Sequence, residues 1–149
     1  SMHLKTLVFF LLLTFTSNSQ IKIDDVGDGW KAQVESAIKL IQNTDDLRYS
    51  LLIKNCNHIE FGVNGNSTTH DSTIVIDKSV FELNSLNNLA CTIVHESKHL
   101  EIKSWNVKWT EKKEEYITYL TEYAFFTKLK NGEIWLREFL VQKMVETQP

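Results

Sequence analysis

The sequence predicts an α+β domain. An amphipathic segment lies near the start of the folded region, and short β-branched or aromatic segments bounded by Asn, Gly, Ser and Asp follow it. The C-terminal half repeats apolar residues at helical spacing.

In the first helix, Trp30, Val34, Ile38 and Ile41 share one face, Asp28 is placed to cap it, and Asn43 to Asp46 supply the turn that stops it. Tyr49 to Ile53, Ile59 to Val63 and Thr73 to Ile76 then read as a small antiparallel sheet. Asn64 to Ser72 reads as a polar loop opening with Asn-Gly. Leu86, Leu89, Ala90, Ile93, Val94 and Leu100 recur at helical spacing after Ser85, a capping residue. A second C-terminal helix is expected over Glu111 to Lys130. It opens after Thr110 with acidic residues and ends with basic ones before Asn131-Gly132. A third runs from about Glu133 to Val145.

Residues 1–20 stand apart. Lys5 provides a positive start, Leu7 to Phe15 form an apolar run too short to span a bilayer comfortably, and small polar residues follow to Gln20. This is the layout of a secretory signal peptide, which implies export to a periplasm or the outside. The alternative is an uncleaved hydrophobic segment that packs on the domain or holds it to a membrane. Residues 21–149 are expected to form a single domain, with no internal repeat or Pro/Gly/Ser linker dividing it. A formal net charge of -3, mixed in sign, offers no basic face for nucleic acid and names no partner. Cys56 and Cys91 can pair in an oxidising compartment or remain two buried thiols, and neither belongs to a Cys-x-x-Cys pair.

The chemistry lies in Ile93-Val94-His95-Glu96-Ser97-Lys98-His99-Leu100. On a helix, residues four apart stand one turn above each other, so His95 and His99 present two imidazoles to one cation. Glu96 falls beside such an ion, where a carboxylate can take a proton from a bound water. Imidazole ligands with an open position suit one zinc ion per chain. The rival reading is a solvated helix face on which Glu96 and Glu101 pair with Lys98 and Lys103. His58 and His70 read as surface or hydrogen-bonded histidines.

The segment HESKH resembles the active-site helix of the zincin metallopeptidases, which carries His-Glu-x-x-His. The resemblance is specific over this helix alone and identifies no subfamily. It implies a zincin-like fold, a zinc ion, and peptide-bond hydrolysis with Glu96 as general base. No histidine follows His99, so the extended pattern with a third downstream His is absent, and the third ligand must be an acid or an upstream His. Glu114 to Glu122 resembles the second helix of the zincins with a glutamate ligand. That likeness selects Glu115 as third ligand, with Glu122 either supporting a histidine or ligating in its place; Glu111 and Glu114 are weaker choices. Tyr116, Tyr119 and Tyr123 lie near the implied site, where zincins often stabilise an oxyanion, although each also suits a core or rim position. Trp105, Trp109, Phe125, Phe126 and Trp135 are expected to pack the helices together. A peptide or protein substrate would pair with an exposed edge strand, for which Thr73 to Asp77 is the nominee. The alternative from another class is a catalytically inactive zincin-fold binding or inhibitory module; a third is a metal-free, partner-binding helical domain.

Overall fold

The computed structural model describes residues 20–149, and the apolar run read as an export signal lies outside them. Among the described residues, four strands and six helices build an α+β arrangement. In chain order they are β1 (Lys22–Ile23), α1 (Trp30–Thr44), α2 (Asp46–Asn55), β2 (His58–Gly62), β3 (Thr68–His70), β4 (Thr73–Asp77), α3 (Lys78–Glu82), α4 (Leu86–Ser104), α5 (Glu111–Phe126) and α6 (Ile134–Thr147). No helix among them is long and apolar enough to cross a membrane.

The sheet order is β1-β2-β4-β3. The sheet is mixed, which corrects the antiparallel expectation. β1 and β2 run parallel, as do β2 and β4, and only β3 is antiparallel to its neighbour. The chain leaves β2, passes beyond the future position of β4, and returns through Asp71 and Ser72 so that β4 inserts between β2 and β3. Asp71 takes the left-handed conformation there (φ 50°), which Asp tolerates better than most residues. Thr73–Asp77 is therefore an interior strand and cannot be a free edge; the edges are β1 and β3. Thr68 to His70 is short and polar, and this is why it reads as loop in the sequence.

Tyr49 to Ile53 is helical, a second correction. Asp45 adopts an extended conformation, ends α1, and accepts a hydrogen bond from the Arg48 amide at 3.1 Å to cap α2. The turn chemistry is where the sequence puts it, but a helix follows it. Good helix formers at Leu47, Arg48, Leu51, Leu52 and Lys54 outweigh the β-leaning Tyr49 and Ile53. α1 begins one residue later than expected, with Gly29 rather than Asp28 at the cap position. Ser85 and Thr110 cap α4 and α5 as the sequence indicates. α5 stops at Phe126, short of Lys130. Gly132 then passes so close to Phe126 that a Cβ would stand 2.5 Å from its ring.

α4 is the central element and packs against α1, α2, α3, α5, β3 and β4. The core joins Val34, Ala37 and Ile41 of α1 to Ile59, Ile74 and Ile76 of the sheet and to Leu89 and Ile93 of α4; Phe125, Leu136 and Leu140 extend it. Cys56 and Cys91 are both buried in it as free thiols. Of the expected aromatic cluster, Phe125 and Phe126 are internal, whereas Trp105 and Trp135 are 45% and 43% exposed and pack no helices together. On the side of α4 facing α2, Glu101 receives Arg48 at 3.2 Å and Lys98 at 3.1 Å. Lys98 thus pairs with Glu101 and not with Glu96. Ile93 is fully buried at the centre of this packing, so Ile93→Ala should lower the unfolding free energy by about 2–5 kcal/mol in urea denaturation.

Candidate metal centre

α4 and α5 run antiparallel, as the order of their contacts requires: His95 meets Glu122, and His99 meets Glu114 and Glu115. Thr118, fully buried between the two acid positions, turns its hydroxyl back to the Glu114 carbonyl (2.7 Å) and presents a small surface to α4. The helices can approach closely there, and this close approach brings glutamate side chains onto both imidazoles.

The Nδ1 of His95 lies 2.8 Å from Glu122, and the Nδ1 of His99 lies 3.0 Å from Glu114. A carboxylate against Nδ1 keeps the proton on that nitrogen, so each ring turns its Nε2 lone pair toward the other. The two Nε2 atoms are 3.3 Å apart. Glu115 reaches the same point, 2.8 Å from His99 Nε2 and 3.7 Å from His95 Nε2. His95, His99 and Glu115 thereby bring one ligand atom each within 4.8 Å of one another. Three electron-pair donors at this spacing repel unless a proton or a metal cation lies among them. Two nitrogens held about 2.0–2.1 Å from one ion at a tetrahedral angle stand about 3.3–3.4 Å apart, so the donor set fits a small divalent cation.

Without a cation, protons fill that role. Burial works against a charge on His99, but hydrogen bonds to Glu115 and Glu114 outweigh it and hold the imidazole at about 9. His95 is likewise raised, burial being overcome by its bond to Glu122. Glu115 is lowered, chiefly by its bond to His99. Burial pushes Glu96 and Glu122 up. A carboxyl held above its ordinary value is a stronger proton acceptor when ionised, which suits Glu96 to proton transfer.

The group opens into a cleft of about 650 Å³. One wall is α4 and α5, with His95, Glu96, His99, Glu111, Glu114, Glu115, Tyr119 and Glu122. The other is residues 65–69, which lead into and form the start of β3, with Ser79 and Val80 behind them. Asp77 secures that wall. Buried at the end of β4, its carboxylate accepts from the Gly65 amide (2.8 Å) and from the amide (3.0 Å) and hydroxyl (2.5 Å) of Ser79, while its own amide donates to Ser67 (2.9 Å). Gly65 takes φ 92° to make this turn. These bonds, the Ser79 hydroxyl first, hold the Asp77 carboxyl below its usual range.

Most residues that the sequence nominates thus meet in one place. Tyr119 packs its ring against His95, with centroids 4.6 Å apart. Tyr123 stacks on Phe126, and neither it nor Tyr116 lines the cleft. His58 and His70 lie on the sheet, paired with Asp24 at 2.8 Å and with Glu60 at 3.2 Å. Sequence reasoning missed the wall at residues 65–69 and its anchor Asp77. The available signals were the Asn64-Gly65 turn and the Asp77-x-Ser79 capping pattern. Compared with protein families, curated proteins and solved structures, the chain gives no match.

Two outcomes follow for the isolated protein. Both raised histidines must lose a proton before binding a cation, so zinc affinity should rise with pH up to about 9. Calorimetry at pH 7 in buffers of different ionisation enthalpy should register release of about one to two protons per zinc. The metal-free protein should behave in the opposite sense. A histidine raised from 6.5 to about 9 stabilises the fold fully below 6.5 and less as pH climbs to 9, and thermal unfolding across that window reads the loss. Separately, Glu122→Gln should weaken zinc binding by about 10–100-fold, measured by competition with a chromogenic chelator.

Proposed function

We propose that this chain is a zinc-dependent peptidase of the zincin type, exported by its N-terminal apolar segment. The observation that carries the reading is the convergence of His95 Nε2 and His99 Nε2, 3.3 Å apart, with Glu115 beside them and Glu96 lining the same cleft. An isolated exposed acid-histidine cluster would not have both Nδ1 atoms engaged by carboxylates from the neighbouring helix. A two-nitrogen, one-carboxylate set suits several divalent metals, and zinc is the one that best matches tetrahedral geometry with hydrolytic chemistry.

A bound zinc would polarise the scissile carbonyl and ease deprotonation of water. Glu96 accepts a proton from the attacking water as the new C–O bond forms, and then passes it to the amine nitrogen, whose C–N bond breaks as the carbonyl is restored. Glu122 and Glu114 hold the two imidazoles in orientation and tautomer. β3, the edge of the sheet that lines the cleft, offers unpaired backbone groups to an extended peptide. Zinc analysis of the supplemented, desalted protein should give about one ion per chain, lost in His99→Ala. Glu96→Gln should keep the zinc and reduce hydrolysis of a casein or peptide mixture by about 10²–10⁴-fold. Zinc bound with no turnover in the wild type would remove the peptidase assignment and leave a binding or inhibitory module on the same scaffold.

A further inference from the structure

We infer that the cleft selects peptides with a lysine or arginine beside the segment laid across the metal centre, and that Glu111 is the recognition group. This rests on the peptidase reading of the site. The glutamates lining the cleft are Glu96, Glu111, Glu114, Glu115 and Glu122, and among the described residues no lysine or arginine lines it. Lys143, over the ring of the cleft residue Phe139 and close enough to act on Glu115, and a divalent cation together offset three of those charges, so the lining stays anionic with its metal in place. A cleft in which one sign of charge prevails concentrates ligands of the opposite charge.

The five acids are not equivalent. Glu114 and Glu122 are engaged by the imidazole Nδ1 atoms, and Glu115 faces both Nε2 atoms. Glu96 is 5% exposed and lines the cleft. A carboxylate held between the packed helices and the cleft is placed to meet a group that enters there, which for the reaction above is the attacking water. Glu111 remains. It stands exposed in the first turn of α5, one helical turn before Glu115, and so about 6 Å along the axis from the metal donors. Its neighbour Lys113 sits over the Trp109 ring, 4.7 Å from the centroid, which occupies that ammonium elsewhere. A peptide paired with β3 would run past this carboxylate with its side chains alternating in direction, and a long cationic one has the reach to meet it.

The test is binding as well as cleavage, so that the two readings separate. The zinc-supplemented full chain is titrated into a fluorescein-labelled, alanine-rich octapeptide with two central lysines, and into the same peptide with glutamates there. At about 20 mM salt the lysine peptide should bind at least about tenfold more tightly, and the preference should shrink as salt is raised. Glu111→Gln should weaken the lysine peptide by about three- to fivefold, with zinc content unchanged. Glu35→Gln, an exposed acid on α1 away from the cleft, should leave it unchanged. Equal binding of the two peptides, or an equal effect of Glu111→Gln and Glu35→Gln, overturns the inference. Lysine preference without cleavage removes the peptidase reading and keeps the cationic-peptide site; cleavage of both peptides at equal rates does the reverse.

Discussion

The crossing of α4 and α5 places two imidazoles and three glutamates in one partly buried layer, and the rest of the fold is arranged around that constraint. Ionised groups out of water are costly unless each meets a partner of opposite character at hydrogen-bond distance. Here the pairings are made between helices: His95 with Glu122 at 2.8 Å, His99 with Glu114 at 3.0 Å and with Glu115 at 2.8 Å. Such pairing has no slack, because a turn's displacement of α5 would leave Glu122 buried against nothing. The apolar contacts of Phe125 and Phe126 with the core at one end of α5 hold the register.

The same economy of partners appears on the far side of α4, where Glu101 is shared by Arg48 of α2 and Lys98. Among the described residues every buried side-chain nitrogen or oxygen has a hydrogen-bond partner. A helix that is buried around most of its circumference can carry Glu96, Lys98, Glu101 and two histidines between His95 and Glu101 only on that condition. Its rigidity is then available to the site: His95 and His99 are held by α4's packing against α1, α2 and the sheet, not by the cleft itself.

The cleft depends on the sheet in a different way. β3 turns back antiparallel to β4, and Asp77 ties the preceding residues to the start of α3 through Gly65, Ser67 and Ser79. The opposite wall from the helices is therefore a short edge strand whose position is set by one buried carboxylate. That edge and the two imidazoles line the same cleft.

Much of this was legible in the residues alone, and the reason is locality. The four-residue interval between His95 and His99, the placement of Glu96, and the capping hydroxyls of Ser85 and Thr110 act within a turn or two of helix, so their consequences are independent of the remainder of the chain. Tyr49 to Ile53 misleads because a five-residue segment has no decisive period, and the cap at Asp45 wins only once Leu52 is buried against the core. The free edge is non-local by nature: Thr73–Asp77 becomes interior only because β2 and β3 flank it. The division of labour among Glu111, Glu114, Glu115 and Glu122 was not legible in the residue pattern, and only the likeness to the zincins singled out Glu115 and Glu122. All four lie toward one side of the same helix, and only the depth and direction at which α5 crosses α4 bring Glu115 to both Nε2 atoms, send Glu114 and Glu122 to the Nδ1 atoms, and leave Glu111 at the mouth of the cleft.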